Sequence, residues 1–126
     1  MKGSERVRVL IADDQGLFAE ALEAILTVDG RVEVVGRAGD GARAVELAEC
    51  LEPDVLLMDI SMPVVDGVAA TREIRMRVPY VRVLILTGSN SRHDVDRSRR
   101  AGAAGYVTKD RIAAELVEAI LDVAGE

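Results

Sequence analysis

The chain has 126 residues, enough for one domain with a real core and too few for two. Hydrophobic residues make up 49% and charged residues 30%, an ordinary soluble balance, but aromatics are only 2%, so the core must be built from Val, Leu, Ile and Ala. A net charge of -6 with a pI near 4.9 argues against phosphate-backbone binding by this segment, the single Cys50 excludes an internal disulfide, and no apolar run reaches membrane-spanning length or resembles a signal peptide, so the expected setting is a reducing cytoplasm.

Met1 to Arg6 is polar and expected to fray. From Val7 onward, strand-like apolar runs alternate with helix-length segments. VRVLIA (Val7 to Ala12) is the first strand; the helix after it carries Phe18, Leu22 and Ile25 on one face and stops at Asp29-Gly30. VEVVG (Val32 to Gly36) is the second, followed by a helix with Ala44, Leu47, Ala48 and Leu51 on one face, ended by Pro53. Cys50 in that helix reads as a small, partly buried side chain rather than a redox group. VLLM (Val55 to Met58) is the third strand, and its helix spans roughly Val68 to Val78, before Pro79. VLILT (Val83 to Thr87) and AGYVT (Ala104 to Thr108) are the fourth and fifth strands, and the last helix runs from about Ile112 to Val123. Between the last two strands, SNSRHDVDRSRRAG (Ser89 to Gly102) offers only Val95 and Ala101 for burial, which predicts a short or mobile fourth helix. Its arginines read as a solvated face, and His93 has no ligand set around it.

Alternating strands and helices with short connections imply right-handed crossovers and a parallel sheet covered on both faces, a five-stranded three-layer α/β domain whose strands are apolar nearly throughout. Polar residues then fall in one place. Asp13-Asp14 follow the first strand, Asp59 ends the third, Thr87 ends the fourth and Lys109 follows the fifth, all on the sheet edge where this architecture binds ligands. The residues leave the strand order open. In the order 2-1-3-4-5 the switch point falls between strands one and three, and Asp13, Asp14 and Asp59 crowd together beside Thr87 and Lys109. Three carboxylates that close require a proton or a shared cation, and an all-oxygen cluster favours Mg²⁺ over zinc. An ionised Asp59 held there can attack a phosphoryl group and become an acyl phosphate, with the cation and Lys109 neutralising the transferring oxygens and Thr87 donating its hydroxyl.

From Val7 to Val123 the chain resembles the receiver domains of two-component response regulators, closest to those of LuxR/NarL-type transcriptional regulators. The signatures are LIADDQ (Leu10 to Gln15), MDISMPVVDG (Met58 to Gly67), ILTGS (Ile85 to Ser89) and AGAAGYVTKD (Ala101 to Asp110). Each is weak alone; four in order at these spacings are very specific. The resemblance implies a (βα)5 flavodoxin-like domain with sheet order 2-1-3-4-5, filling residues 1–126. It implies that Asp59 is the phosphoacceptor for a sensor histidine kinase and that Mg²⁺ is the cofactor. Asp14 is then a direct ligand of the ion, Asp13 a carboxylate acting largely through water, and Ser61 a backbone-carbonyl ligand. Thr87 is implied as the switch hydroxyl, Tyr106 as the switch aromatic and Lys109 as the phosphate-pairing ammonium. Met62-Pro63 and Gly67 shape the loop, Gly67 by relieving a backbone constraint. The implied output is transcription through a C-terminal helix-turn-helix domain absent from this chain, with a possible homodimer on phosphorylation, no enzymatic activity beyond the domain's own phosphorylation and dephosphorylation, and neither nucleic acid nor membrane bound by this segment. Many receivers have Pro after the lysine, following a cis peptide; with Asp110 there, cis would cost about 2.5–4 kcal/mol more than trans.

Other readings compete at single positions. Asp13-Asp14 would serve as a helix cap, Tyr106 as core, and Asp66 as a turn residue before Gly67. Gly39 to Ala44 reads as G-x-G-x-x-A with Asp59 twenty positions beyond Gly39, mimicking a dinucleotide fingerprint, but it follows the second strand rather than the first, so Asp40 or Gly41 is read as a helix cap. Haloacid-dehalogenase-like phosphatases also use an aspartyl nucleophile but need a second acid where this chain has Ser61. Leu17 lies off the Phe18 stripe beside Asp14, where it would dock the kinase's histidine helix or join the core. The reading from another class is a degenerate receiver, a phosphorylation-independent interaction module.

Overall fold

The computed structural model describes residues 6–60, 62, 66–88 and 92–125. Strands β1 (Val7–Ala12), β2 (Val32–Ala38), β3 (Val55–Asp59), β4 (Arg82–Thr87) and β5 (Gly105–Thr108) are parallel and lie in the order β2-β1-β3-β4-β5. Between them run α1 (Gly16–Val28), α2 (Gly41–Leu51), α3 (Gly67–Arg77) and α4 (Arg92–Ala101). A 3-10 turn (Lys109–Arg111) leads from β5 into α5 (Ile112–Ala124). Period-two alternation splits the core into two layers. Val9, Ile11, Leu57 and Leu86 pack under α1 and α5, while Leu10, Leu56, Met58 and Ile85 pack under α2, α3 and the end of α4. The inner strands β3 and β4 are buried almost end to end, as expected; the edge strands β2 and β5 are not, because each lacks a neighbour on one side.

Local chemistry sets the helix ends. Asp40 caps α2 by accepting the Arg43 amide at 2.8 Å, and Asp66 caps α3 by accepting the Ala69 amide at 2.8 Å. The turn residue of the sequence reading is therefore a helix cap. α2 ends on Glu52 in a left-handed conformation (φ 51°), and Pro53 follows.

The structure corrects several expectations. α1 buries Ala19, Leu22 and Leu26, leaving Phe18 half-buried and Ile25 at 40% exposure. Outside the narrow polar stripe of Glu20, Glu23 and Thr27 that helix is apolar, so its periodicity alone does not choose which part of the wide apolar arc is buried. β2 runs two residues past Gly36, since Arg37 and Ala38 still pair with Ile11 and Ala12. Cys50 is exposed. α4 is the shortest α-helix among the described residues, and it buries Ser98 and Ala101. Ser98 can be buried because its hydroxyl donates to the Asp94 carbonyl at 2.9 Å one turn earlier. Every described peptide bond is trans, the one before Asp110 included. Among the described residues no helix is long and apolar enough to cross a membrane.

Candidate functional site

Backbone pairing builds the site. Past β1, the Asp13 amide still donates to the Ala38 carbonyl at 3.0 Å; past β3, the Ile60 amide donates to the Leu86 carbonyl at 3.1 Å. Ala12 pairs with Met58, so Asp13 and Asp59 follow side by side. One carboxylate oxygen from each of Asp13, Asp14 and Asp59 lies within 4.8 Å of the others. Asp13 and Asp59 are buried, and Asp14 is open to solvent.

Thr87 is buried at the end of β4, in register with Thr108. Lys109, the next residue, brings Nζ to 3.4 Å from Asp59 Oδ2 and to 4.7 Å from the centroid of the Phe18 ring. The ammonium thus sits between a carboxylate and a π-face, both of which favour its charge. Tyr106 is 41% exposed, which excludes the core reading for this conformation. Leu17 is 84% exposed and lines an open cleft of about 630 Å³ with Asp13, Asp14, Glu20 and Arg37, so it is not core either. Ser61 and Pro63 lie outside the described residues, as do Ser89 and residues 1–5, on which the expectation of fraying falls.

Asp13 shows what the site lacks. Its Oδ1 accepts the Gln15 amide at 2.8 Å, while Oδ2 is buried with no hydrogen-bond partner among the described residues. Burial pushes its carboxyl above the usual range, and the charges of Asp59 and Asp14 push the same way against the Gln15 amide and Lys109. An orphaned carboxylate oxygen beside two more carboxylates makes a group that could hold a hard divalent cation, and a group without His or Cys fits Mg²⁺ better than zinc.

Gly67 contributes by absence. A Cβ there would lie 2.4 Å from the Asp59 carbonyl oxygen and 2.8 Å from Ile60 Cα, so α3 can start against the end of β3 only because the side chain is missing. Its φ is not positive, so the constraint is close approach rather than turn geometry. Two contributors escaped the sequence reading: the Gln15 amide and the Phe18 ring. The signal for the second was available, since Phe18 lies one helical turn beyond Asp14 and so on the same end of the domain.

Known proteins share this fold. The family model described as response regulator receiver domain matches residues 9–121. The transcriptional regulatory protein DegU of Brevibacillus brevis is 43% identical over 94% of this chain and 50% of its own length. The probable transcriptional regulatory protein NarL of Mycobacterium tuberculosis is 40% identical over 95% of this chain and 56% of its own. This chain thus spans about half the length of those curated relatives. The solved signal receiver domain of the putative response regulator NarL from M. tuberculosis superposes with a TM-score of 0.92 at 40% identity, covering 96% of this chain and 98% of that one. The response regulator domain of Thermotoga maritima CheB gives 0.91 at 31% identity, covering 97% and 98%. A match that runs from the first strand into the last helix, on a sheet of the same architecture, makes this chain a member of the response regulator receiver family, related to transcriptional regulators.

Proposed function

We propose that the domain accepts a phosphoryl group from a sensor histidine kinase onto Asp59 and switches conformation to control an output, transcription. The observation that carries this is the buried Oδ2 of Asp13, without a hydrogen-bond partner among the described residues, beside Asp59 and Lys109 in a group of carboxylates that could hold a cation. An Asp59 carboxylate oxygen bonds to phosphorus as the P–N bond of the kinase phosphohistidine breaks and its electron pair returns to the imidazole. No base is needed, because a carboxylate is itself the nucleophile. Lys109 pairs with the phosphoryl oxygens, and the Thr87 hydroxyl donates to one of them. Asp13, Asp14, Asp59 and, on the family resemblance, the Ser61 carbonyl would hold Mg²⁺, which would supply the remaining positive charge. Thr87 then moves toward the phosphoryl group, and Tyr106 turns inward from its exposed position. The domain catalyses only its own phosphorylation and dephosphorylation.

Leu17, exposed on the cleft beside Asp14, docks the kinase's histidine helix; an unchanged phosphotransfer rate in folded Leu17→Ser would refute that role. The relatives' greater length and their names as transcriptional regulators support an effector domain in the whole protein; that it is a C-terminal helix-turn-helix, and that the protein acts in the cytoplasm as a homodimer on phosphorylation, rests on the family resemblance alone. The direct test is incubation with acetyl phosphate and Mg²⁺, read by mass. A single phosphoryl adduct that chelator or Asp59→Asn abolishes is the expected result. No adduct, where a control receiver reacts, refutes this reading and favours the degenerate interaction module.

A further inference from the structure

The chain is acidic overall, yet one cleft is basic. Between α3 and α4 a recess of about 230 Å³ is lined by Asp66, Val68, Ala69, Arg72, Arg97 and Arg100. Three guanidiniums line it with one carboxylate, and Asp94 adds a second beside Arg97. Arg97 lies 3.6 Å from Asp66 Oδ2 and 3.6 Å from Asp94 Oδ1; among the described residues neither Arg72 nor Arg100 has an ion-pair partner, although the chain has 22 acidic residues against 16 basic ones. Gathering like charges without counterions costs Coulomb energy that a bound anion would recover. Arginine is also the side chain whose planar fork matches phosphoryl oxygens two at a time.

We propose that this cleft binds a chain of at least two linked phosphoryl groups, free or as the tail of a nucleotide. The two forks without an ion-pair partner among the described residues set the ligand: Arg72 and Arg100 each match two oxygens, four in all, more than the two free oxygens of a diester phosphate; Arg97 already faces both Asp66 and Asp94, so the net charge here is one positive. The floor, Val68 and Ala69, is small and aliphatic, with no aromatic side chain in the lining to stack on a base. Recognition therefore rests on the phosphoryl chain. Binding also draws Arg97 away from Asp66, the residue that caps α3 through the Ala69 amide. The site is separate from the acid cluster and does not depend on phosphorylation of Asp59.

Calorimetric and amide-NMR titrations of the chain with pyrophosphate and tripolyphosphate test this, in chelator so that the acid cluster holds no cation, at about 0.15 M salt to screen diffuse attraction. One-to-one saturable binding with a shift of the Ala69 amide is expected. Arg72→Ala and Arg100→Ala should each weaken it about tenfold or more, and Arg72→Lys should weaken it by keeping the charge while losing the fork. Arg99→Ala removes the same charge from the same helix but not from this cleft, and should leave affinity within about twofold. Equal affinity for ADP and pyrophosphate marks the phosphoryl chain alone as the ligand, and tighter ADP binding marks a nucleotide. Absence of saturable binding, equal binding of citrate, or equal losses in Arg99→Ala and Arg72→Ala would overturn the proposal.

Discussion

Gly67→Ala sets two physical effects against each other. Gly67 is the first residue of α3, and on helix propensity alone alanine there stabilises by up to about 1 kcal/mol. Sterics demand the opposite sign. The new Cβ would stand 2.4 Å from the Asp59 carbonyl oxygen and 2.8 Å from Ile60 Cα. Both are main-chain atoms at a buried strand end, and the Ile60 amide is tied to Leu86 across the sheet at 3.1 Å. Neither can swing aside as a side-chain tip does. Overpacking of this kind costs about 1–3 kcal/mol, and fixed backbone places it in the upper half, so the net expectation after the propensity gain is a loss of about 2 kcal/mol. Gly16→Ala is the matched control: Gly16 opens α1, and its Cβ would meet nothing within 4 Å. Only propensity acts there, so stability should hold or rise by a few tenths of a kcal/mol, roughly. Urea unfolding followed by far-UV circular dichroism measures both, with the slope checked so that a midpoint change reports stability. A Gly67→Ala variant as stable as the parent, or one that responds as Gly16→Ala does, would refute the steric account.

Burial raises the Asp13 carboxyl in the fold, so its protonated form favours folding: that contribution is complete below the unfolded value of 3.8 and is lost as pH rises through the higher folded value. In chelator at neutral pH, Asp13→Asn should therefore be more stable than the parent by about 1 kcal/mol, with the gap closing as pH falls toward 3.8; a constant gap across that range contradicts the assignment. Mg²⁺ should raise the melting temperature, with about 2.7 kcal/mol of stabilisation at a hundred times its dissociation constant, and Asp14→Ala should abolish the effect; since the chain has no Trp, circular dichroism melts are the readout. Leu86→Ala, at a fully buried position, should cost about 2–5 kcal/mol against less than about 1 kcal/mol for Tyr106→Ala at 41% exposure, and equal losses in chemical unfolding would show that Tyr106 packs in the core.

What was legible in the sequence was what the backbone decides locally. β1 and the last helix stand where apolar pattern placed them, and the acid pair, Asp59, Thr87 and Lys109 share one edge because parallel strands leave no other place for residues that follow them. What stayed hidden depends on three dimensions. Ile25 and Leu26 are equally apolar neighbours, and only the docking angle of α1 buries one and exposes the other. Arg37 carries no strand signal, yet β1 extends the ladder through it. Ser98 is polar and buried because it bonds its own helix, a solution that composition does not announce. The reason for Gly67 was a distance to Asp59, which no local pattern encodes.

The way the carboxylates are held bears on how they can be tested. Asp13 takes its place through its own amide on Ala38, and Asp59 through its neighbour's amide on Leu86, while Gly67 lets α3 abut the strand end. Those devices are main chain. The first turn of α1, whose free amides carry partial positive charge, opens just beyond Asp13 and Asp14 and lowers the cost of gathering acids there. Substituting a carboxylate by its amide therefore removes chemistry without removing the geometry that positions it. A folded Asp59→Asn variant that loses the phosphoryl adduct reports the nucleophile. A Gly67→Ala variant that loses it reports the placement of the nucleophile. The two losses separate in the unfolding curve: the glycine variant should fall by about 2 kcal/mol, because there the substitution acts on the backbone that fixes the site, whereas Asp59→Asn acts only on the charges of the cluster and should not be destabilised by that amount.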